Sequence, residues 1–301
     1  MQKNYYHLFA NGADAKNFIT SEDDFRSAFN RFGICAANTD ATVLSFSIDE
    51  THPHGLIYAT YESCLNFKRK YESSTVHYIA ATRGSLDDVV FELDCKKIED
   101  ETYLKNVAVY TVIQATKDGK RIMPYDYRWG TGSMYFRPRN YLSIWEMDES
   151  GKRCIPVRYG DMSYREQRRF TSSKSHGSIP DDWLVCNGLI LPSNYVDVTA
   201  YEDIFKTHNC YRVFQASSKS IEKTVIEVMS NTHGIELEDL EARRICEEVC
   251  QKQFSARNAR HLSPAERLKL GGILRGDYHM SMRQAATMAR LPESELRKYF
   301  K

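Results

Sequence analysis

The sequence lacks several features that would assign it to a broad class. No hydrophobic run reaches the length of a transmembrane helix. The first ten residues lack the basic region, apolar run and small-residue cleavage site of a signal peptide. The eight cysteines include no CxxC pair, which argues against a disulfide framework. These absences predict a cytoplasmic protein with reduced thiols and no membrane partner.

The chain also has little net charge, but its charges are unevenly distributed. The formal net charge is only +1. Residues 117–139 hold six basic and two acidic side chains, residues 152–174 hold seven and two, and residues 251–301 hold eleven and four. Residues 221–250 reverse this balance, with eight acidic and three basic side chains. Such segregation produces basic faces on a neutral protein, which is typical of a polyanion binder.

The first half of the chain is predicted to form an α+β domain. With 301 residues and 42% hydrophobic content, the chain is large enough for two domains. Aromatic and alternating apolar residues predict strands, and helical spacing of apolar residues predicts the segments between them. The order strand, helix, strand, strand, helix, strand, helix predicts a ferredoxin-like or RNA-recognition-like antiparallel sheet with helices on one face. The predicted strands are residues 4–10, 41–48, 55–59 and 89–93, and the predicted helices start near Ser21, Tyr61 and Glu99.

Aromatic and basic residues alternate without clear periodicity after Gly119. Aromatic rings interleaved with arginine can stack single-stranded bases while guanidinium groups hold the backbone. An irregular stretch whose rings fill the edge of the core is an equally good interpretation. The predicted DNA contacts in this stretch are Arg121, Tyr127, Arg128, Trp129, Arg137 and Arg139.

The sequence divides into three predicted regions. Residues 1–145 form the α+β domain, residues 146–215 a basic linker and irregular connecting segment, and residues 216–301 a helical domain. Within the linker, residues 164–180 have the composition of a mobile connection. The sequence pattern of residues 181–211 predicts no particular secondary structure.

The last forty residues predict a helix-turn-helix. Ser263 is a predicted helix cap, followed by Pro264 at the first helical position and Glu266 three residues after the cap. Two further short helices, residues 281–289 and 293–300, flank a three-residue turn, which favours a DNA-binding helix-turn-helix. A helical hairpin that only packs remains an alternative. The predicted DNA contacts here are Arg283, Arg290, Arg297 and Lys298.

Two short motifs carry the predicted chemistry. In the first, His52 and His54 flank Pro53 at a strand entrance, so both imidazoles point to one face and can reach one metal ion. In the second, Tyr110 and Gln114 lie four residues apart on a predicted helix and therefore share a face. An HxH string is weak by itself, and Tyr110, one of nineteen tyrosines, could be an ordinary helix-face residue.

Four motifs in order resemble those of the single-tyrosine HUH transposases, most closely the REP-associated tyrosine transposase branch. The similarity covers about residues 4–136, and the C-terminal helices are similar to tails of some members. The motifs are Tyr5-Tyr6-His7-Leu8-Phe9 with Asn11-Gly12, His52-Pro53-His54-Gly55-Leu56-Ile57, Tyr103-Leu104 leading to Tyr110 and Gln114, and Pro124-Tyr125-Asp126-Tyr127-Arg128-Trp129-Gly130.

The resemblance implies a metal-dependent nuclease acting on single-stranded or hairpin DNA. His52 and His54 would bind magnesium or manganese, with Gln114 as third ligand. Tyr110 would attack the phosphorus and form a 5′-phosphotyrosine, leaving a free 3′ hydroxyl. The enzyme could act as a homodimer, with Tyr110 serving its own site or the partner's. Pro53 departs from the family, which usually has a bulky hydrophobe between the histidines.

Two alternatives to the transposase interpretation remain. The first is a non-catalytic DNA-binding regulator derived from such an enzyme. The second is an RNA-binding module that uses the sheet and the aromatic segment. Formation of a covalent protein–DNA adduct would separate the transposase from both.

Overall fold

The chain forms two compact units. The first contains residues 1–93 and 98–227, and the second contains residues 94–97 and 228–301. None of the described helices is long and apolar enough to cross a membrane. The computed structural model describes residues 2–10, 18–84, 91–113, 123–137, 143–148, 150–171, 178–230, 239–278 and 280–299.

A four-stranded sheet with the strand order β2-β3-β1-β4 organises the first half of the chain. Strand β3 is antiparallel to both β1 and β2. This order and the sequence of elements are those of a ferredoxin-like α+β fold, so the predicted fold class is confirmed. The elements are β1 (Asn4–Phe9), α1 (Glu22–Ala37), β2 (Thr42–Ile48), β3 (Pro53–Ala59), α2 (Tyr61–Arg83), β4 (Asp94–Ile98) and α3 (Glu101–Ile113).

The sheet has helices on both faces rather than on one. On the first face, Phe46 stacks on Phe32 of α1 with ring centroids 4.3 Å apart. On the opposite face, the hydroxyl groups of Ser45 and Thr111 form a 2.7 Å hydrogen bond between β2 and α3. Because adjacent side chains of a strand point to opposite faces, these two contacts place α1 and α3 on opposite sides. The prediction of helices on one face only is wrong for α3.

The fourth strand begins later than predicted. The apolar residues that suggested a strand at 89–93 include Phe91, which packs against Phe18 at 4.7 Å and Tyr71 at 6.0 Å between ring centroids. Its apolar character therefore reflects burial in the core, while β4 itself is Asp94–Ile98. The predicted residues 89 and 90 lie outside the described part of the chain.

Local signals explain where the early helices begin and end. The Ser21 side chain accepts a hydrogen bond from the Asp24 N–H, and the Asp24 carboxylate accepts one in return from the Ser21 N–H. Thr60 caps α2, and Gly84 ends it in a left-handed conformation with φ of 74°. The predicted cap of the third helix at Gly119 lies outside the described residues.

The region predicted as a linker is folded within the first unit. The Asn30 side chain of α1 donates to the Gly188 carbonyl and accepts from the Ile190 N–H. The Tyr201 hydroxyl donates to the Ala108 carbonyl of α3 at 2.8 Å. Strands of two or three residues are too short to show a period, which is why the pattern missed them. The elements are β5 (Val157–Arg158), α4 (Tyr164–Thr171), β6 (Leu184–Cys186), β7 (Leu189–Ile190), α5 (Val198–Phe205), α6 (His208–Ala216) and α7 (Ser218–Ser230).

The C-terminal part of the second unit, residues 228–301, is helical, whereas the sequence pattern places the start of the helical domain at residue 216. The predicted capping box of Ser263 and Glu266 is present. A Cβ added to Gly271 of α9 would lie 2.8 Å from Leu296 Cδ1, so α9 and α11 pack closely. DNA recognition by α10 and α11 stays a prediction. The helices are α8 (Asp239–Phe254), α9 (Pro264–Gly276), α10 (Met282–Ala289) and α11 (Glu293–Tyr299).

Candidate active site

Strand register places two histidines on the face that α3 covers. His7 of β1 lies opposite Leu56 of β3, and His54 of β3 lies opposite Phe9 of β1. Ser45 of β2 also lies opposite Leu56. Cross-strand neighbours share a face, so His7 and His54 join Ser45, whose hydroxyl contacts α3. The histidines of two different strands therefore meet beneath the helix that carries Tyr110.

The ring geometry brings four side chains into one cluster, called here the His–Tyr cluster: His7, His52, His54 and Tyr110. The ring centroids of His52 and His54 are 4.5 Å apart in an edge arrangement. Tyr110 lies 5.1 Å from His54, at 86° between planes, and 6.2 Å from His7. His7 stacks 5.8 Å from His54. Three of the four predicted site residues are thus adjacent. The fourth, Gln114, lies outside the described residues, as do Arg121 and Arg139.

Pro53 fits between the histidines because of its place in the hairpin. It is the first residue of β3 and lies opposite Ile48, the last residue of β2. Proline is tolerated at the first position of a strand because its missing N–H removes no interior ladder bond. The Asp49 N–H donates to the His52 carbonyl at 3.1 Å, which closes the turn just before Pro53. The departure from the family pattern is therefore compatible with the strand.

Burial keeps three members of the cluster, His7, His54 and Tyr110, away from bulk water, while His52 is partly exposed. His54 is fully buried and Tyr110 is only 2% exposed. Burial, and secondarily the nearby His52, lower the pKa of His7 to about 3. His7 is therefore neutral at pH 7. The Thr51 hydroxyl lies 2.5 Å from His52 Nδ1 and so helps to orient that ring.

Several buried polar atoms around the cluster have no hydrogen-bond partner among the described residues. They are both ring nitrogens of His7 and the Ser47 hydroxyl. Ser47 lies opposite His54 in the sheet, on the same face. Buried polar groups are nearly always satisfied, and an ion or ordered water is a common partner. A divalent ion with its water shell suits this set of atoms.

The donor chemistry also fits such an ion. Imidazole nitrogens bind divalent transition-metal ions, and an amide oxygen with water suits manganese and magnesium. Within the described ranges, no three His, Cys, Asp or Glu side chains are arranged to hold a metal. The amide oxygen of Gln114 as a further ligand beside His52 and His54 stays a prediction.

His7 is the residue that sequence reasoning missed. It belongs to the motif Tyr5-Tyr6-His7-Leu8-Phe9, but no role was predicted for it. Its place in the predicted strand is the signal for this position. When β1 pairs with β3, which carries His54, alternate residues of β1 point to the same face as His54. The register that sets which residues alternate is only visible in the fold.

The aromatic and basic stretch divides into structural and exposed side chains. Tyr127 is 9% exposed, and its hydroxyl donates to the Ile48 carbonyl. The Trp129 ring stacks on Phe25 at 5.3 Å between centroids. Both rings therefore pack at the edge of the core, and their role in stacking DNA bases stays a prediction.

Arg128 and Arg137 have different settings in the same stretch. The Arg128 guanidinium donates to the Met147 carbonyl at 3.2 Å and lies 5.9 Å from the centre of the Trp129 ring. The Arg137 guanidinium lies 4.8 Å from the centre of the Tyr125 ring, which is 39% exposed. The exposed ring beside an arginine in this stretch is thus that of Tyr125, a residue absent from the predicted set.

The predicted C-terminal contacts are all at the surface. Arg283, Arg290, Arg297 and Lys298 are exposed. Arg297 forms a 2.5 Å ion pair with Glu293 one turn earlier in α11. Part of its charge is therefore already balanced within the helix.

Comparison with known proteins gives one structural similarity. No protein-family model and no curated protein matches the chain. A solved structure described as a REP-associated tyrosine transposase bound to a REP hairpin is similar over 52% of this chain and 94% of its own. The identity is 13% and the TM-score is 0.32. A superposition of that quality carries no functional argument, so the function must be argued from the site residues.

Proposed function

We propose that the protein is a metal-dependent nuclease and transposase that cleaves and rejoins single-stranded or hairpin DNA through Tyr110. The observation that carries this proposal is the His–Tyr cluster, in which a tyrosine lies 5.1 Å from His54 and His54 lies 4.5 Å from His52. His52 and His54 would hold magnesium or manganese, with Gln114 as the third ligand. Bound there, the ion supplies a positive charge that polarises the scissile phosphate.

The proposed reaction is a transesterification. The Tyr110 hydroxyl loses its proton and its oxygen attacks the phosphorus, forming a bond to the 5′ side of the break. The bond from phosphorus to the 3′ oxygen breaks, and that oxygen leaves as a hydroxyl after gaining a proton. Because one phosphoester bond replaces another, a second 3′ hydroxyl can reverse the step without an external energy source.

The burial of the cluster suits a covalent intermediate. A phosphotyrosine ester is lost if water replaces the DNA hydroxyl as the attacking group. Enclosed sites suppress such side reactions by excluding water. The low exposure of Tyr110 and His54 would protect the intermediate until the second strand arrives.

The basic residues supply the proposed DNA contacts. Arg137 with the exposed Tyr125 ring suits a single-stranded base and its phosphate. The exposed basic residues Arg283, Arg290, Arg297 and Lys298 suit the backbone of a duplex stem. A homodimer would let two such sites act on the two ends of one DNA segment.

The sheet face weighs against the RNA-binding alternative. RNA-recognition domains stack bases on an open sheet face, whereas here the Ser45–Thr111 hydrogen bond fixes α3 against that face. The burial of Tyr110, in contrast, favours the non-catalytic regulator as the second candidate, because a nucleophile must be reached by its substrate.

Covalent adduct formation tests the proposal. The protein is incubated with hairpin oligonucleotides labelled at the strand expected to be retained, with manganese, and analysed on a denaturing gel. We expect an adduct with the wild type and none with Tyr110→Phe, which removes only the nucleophilic oxygen. DNA binding should persist in that variant.

Tyr103→Phe is the matched control. Tyr103 lies two turns earlier on α3 and is also largely buried. It should retain the adduct, because its hydroxyl is not the proposed nucleophile. An adduct that survives Tyr110→Phe would exclude Tyr110, and a wild type that binds hairpin DNA without any adduct would favour the regulator.

A further inference from the structure

The second unit contains an open cavity of about 380 Å³ lined by three segments of chain. Arg243 comes from α8, Arg260 from the turn before α9, and Arg290 from the end of α10. The cavity is called here the arginine pocket. Glu247 also lines it. Three guanidinium groups against one carboxylate give the pocket a positive charge.

The three arginines differ from their neighbours in their ion pairs. Arg244, the next residue on α8, lies 3.8 Å from Glu248, and Arg297 pairs with Glu293. Among the described residues, none of the three pocket arginines forms an ion pair. Arginines that are exposed, clustered and without a carboxylate partner are available to an external anion.

The backbone at Arg290 gives a second, independent observation. Arg290 caps α10 in the left-handed conformation, with φ of 58° and ψ of 46°. Glycine is the usual residue at this position because a Cβ is strained there. The Arg290 N–H donates to the carbonyls of Ala286 and Thr287, so this left-handed conformation completes the helix cap. An arginine at a position that favours glycine points to a role for its side chain.

We propose that Arg243, Arg260 and Arg290 together bind one phosphate group, and that this group belongs to the backbone of bound DNA. Planar guanidinium groups match phosphate oxygens with paired hydrogen bonds. Convergence from three segments lets the pocket fix the position of a single phosphate. The choice of DNA as the polyanion rests on the proposed function, but the binding requires no chemistry at Tyr110.

The salt dependence of binding tests the single-phosphate geometry. Binding of a hairpin with a duplex stem to the full chain is measured by fluorescence anisotropy at several salt concentrations. Each neutralised phosphate contributes about 0.9 to the slope of log K against log salt. Arg243→Ala should weaken binding roughly tenfold at low salt. The triple alanine variant should lower the slope by about 0.9 in total, because one phosphate is lost rather than three.

Matched variants separate the pocket from general charge. Arg244→Ala removes the same charge from the adjacent residue and should change affinity much less. Arg290→Gly suits the left-handed backbone, so its Tm should equal or exceed that of the wild type while its affinity falls. Glu247→Gln removes the opposing charge and should tighten binding. Equal losses for Arg243→Ala and Arg244→Ala would overturn the proposal.

Two further measurements identify the source of the phosphate and test the arginine pocket independently of the proposed cleavage through Tyr110. Calorimetric titration with pyrophosphate should show weak binding that Arg290→Gly removes. If Arg243→Ala, Arg290→Gly and the triple alanine variant no longer bind pyrophosphate but keep their affinity for DNA, the pocket binds a free phosphate compound. If these variants keep their affinity for both pyrophosphate and DNA, the arginine pocket is not a phosphate site. The proposed function is tested separately, because the pyrophosphate titration involves no cleavage, whereas Tyr110→Phe should form no adduct and should keep its affinity for pyrophosphate and hairpin DNA.

Discussion

Replacing His7 by leucine should stabilise the metal-free protein. Both ring nitrogens of His7 are buried without a hydrogen-bond partner among the described residues. An unsatisfied buried polar group costs about 1–3 kcal/mol, and an apolar side chain of similar size removes that cost. A change of shape in a packed core offsets part of the gain, by up to about 1.5 kcal/mol. Taking the middle of both ranges, the expected net effect is about 1 kcal/mol of added stability.

The assay is urea unfolding of wild type and His7→Leu in the presence of a chelator, followed by the same measurement with manganese. Metal binding stabilises a folded protein by mass action. We expect the ion to add stability to the wild type and less to His7→Leu, because the polar surroundings of the site are reduced. The variant should also form less DNA adduct.

His77→Leu is the control for this experiment. His77 is exposed on α2, and its Nδ1 is 2.6 Å from the Ser73 carbonyl. Its replacement should change stability by less than about 0.5 kcal/mol and should leave the response to manganese unchanged. A His7→Leu protein that is less stable than the wild type without metal, and equally stabilised by manganese, would refute the reasoning. His7 would then be a packing residue with an unseen partner.

Two further predictions concern the packing and charge of the first unit. Gly55→Ala should destabilise it by about 1–3 kcal/mol in urea, because the added Cβ would lie 2.9 Å from the Phe32 ring; an unchanged midpoint would contradict this packing. Burial alone raises the pKa of Asp24, but hydrogen bonds from Thr20 and the ion pair with Arg83 outweigh it and lower the pKa. Asp24→Asn should therefore cost about 1–2 kcal/mol at pH 7. This difference should begin to shrink as the pH falls below about 4, the ordinary carboxyl pKa, and should disappear only below the lowered pKa of the folded state. A difference that stays constant down to pH 2 would show that charge is not its source.

Structural features that depend on short local patterns can be predicted from the sequence. The capping box at Ser263, the short helices around the turn at Arg290 and the histidine strand entrance all depend on neighbouring residues, and the structure contains them. The role of Trp129 could not be predicted, because the same ring can stack on a base or on Phe25, and only tertiary packing decides. The position of His7 depends on the register of β1 against β3, a long-range property.

The region between the two predicted domains shows a different limit. Its strands are two or three residues long, so no periodicity can indicate them. They are held by contacts such as that of Asn30 with Gly188 and Ile190, which link residues about 160 positions apart. The basic composition of this region predicts a linker, because composition carries no information about contacts between distant residues.

The hydrogen bond between Ser45 and Thr111 has a kinetic consequence. Tyr110 precedes Thr111 on α3 and is nearly inaccessible while α3 lies against the sheet. Under the proposed function, a DNA strand would reach the Tyr110 oxygen only in the population of molecules in which α3 has moved outward. Apparent affinity falls in proportion to that population. Short random strands, which bind weakly, would rarely meet an open site, whereas a hairpin held elsewhere on the protein would remain long enough. Under the proposed function, the closed helix would therefore select against the cleavage of DNA that binds only briefly.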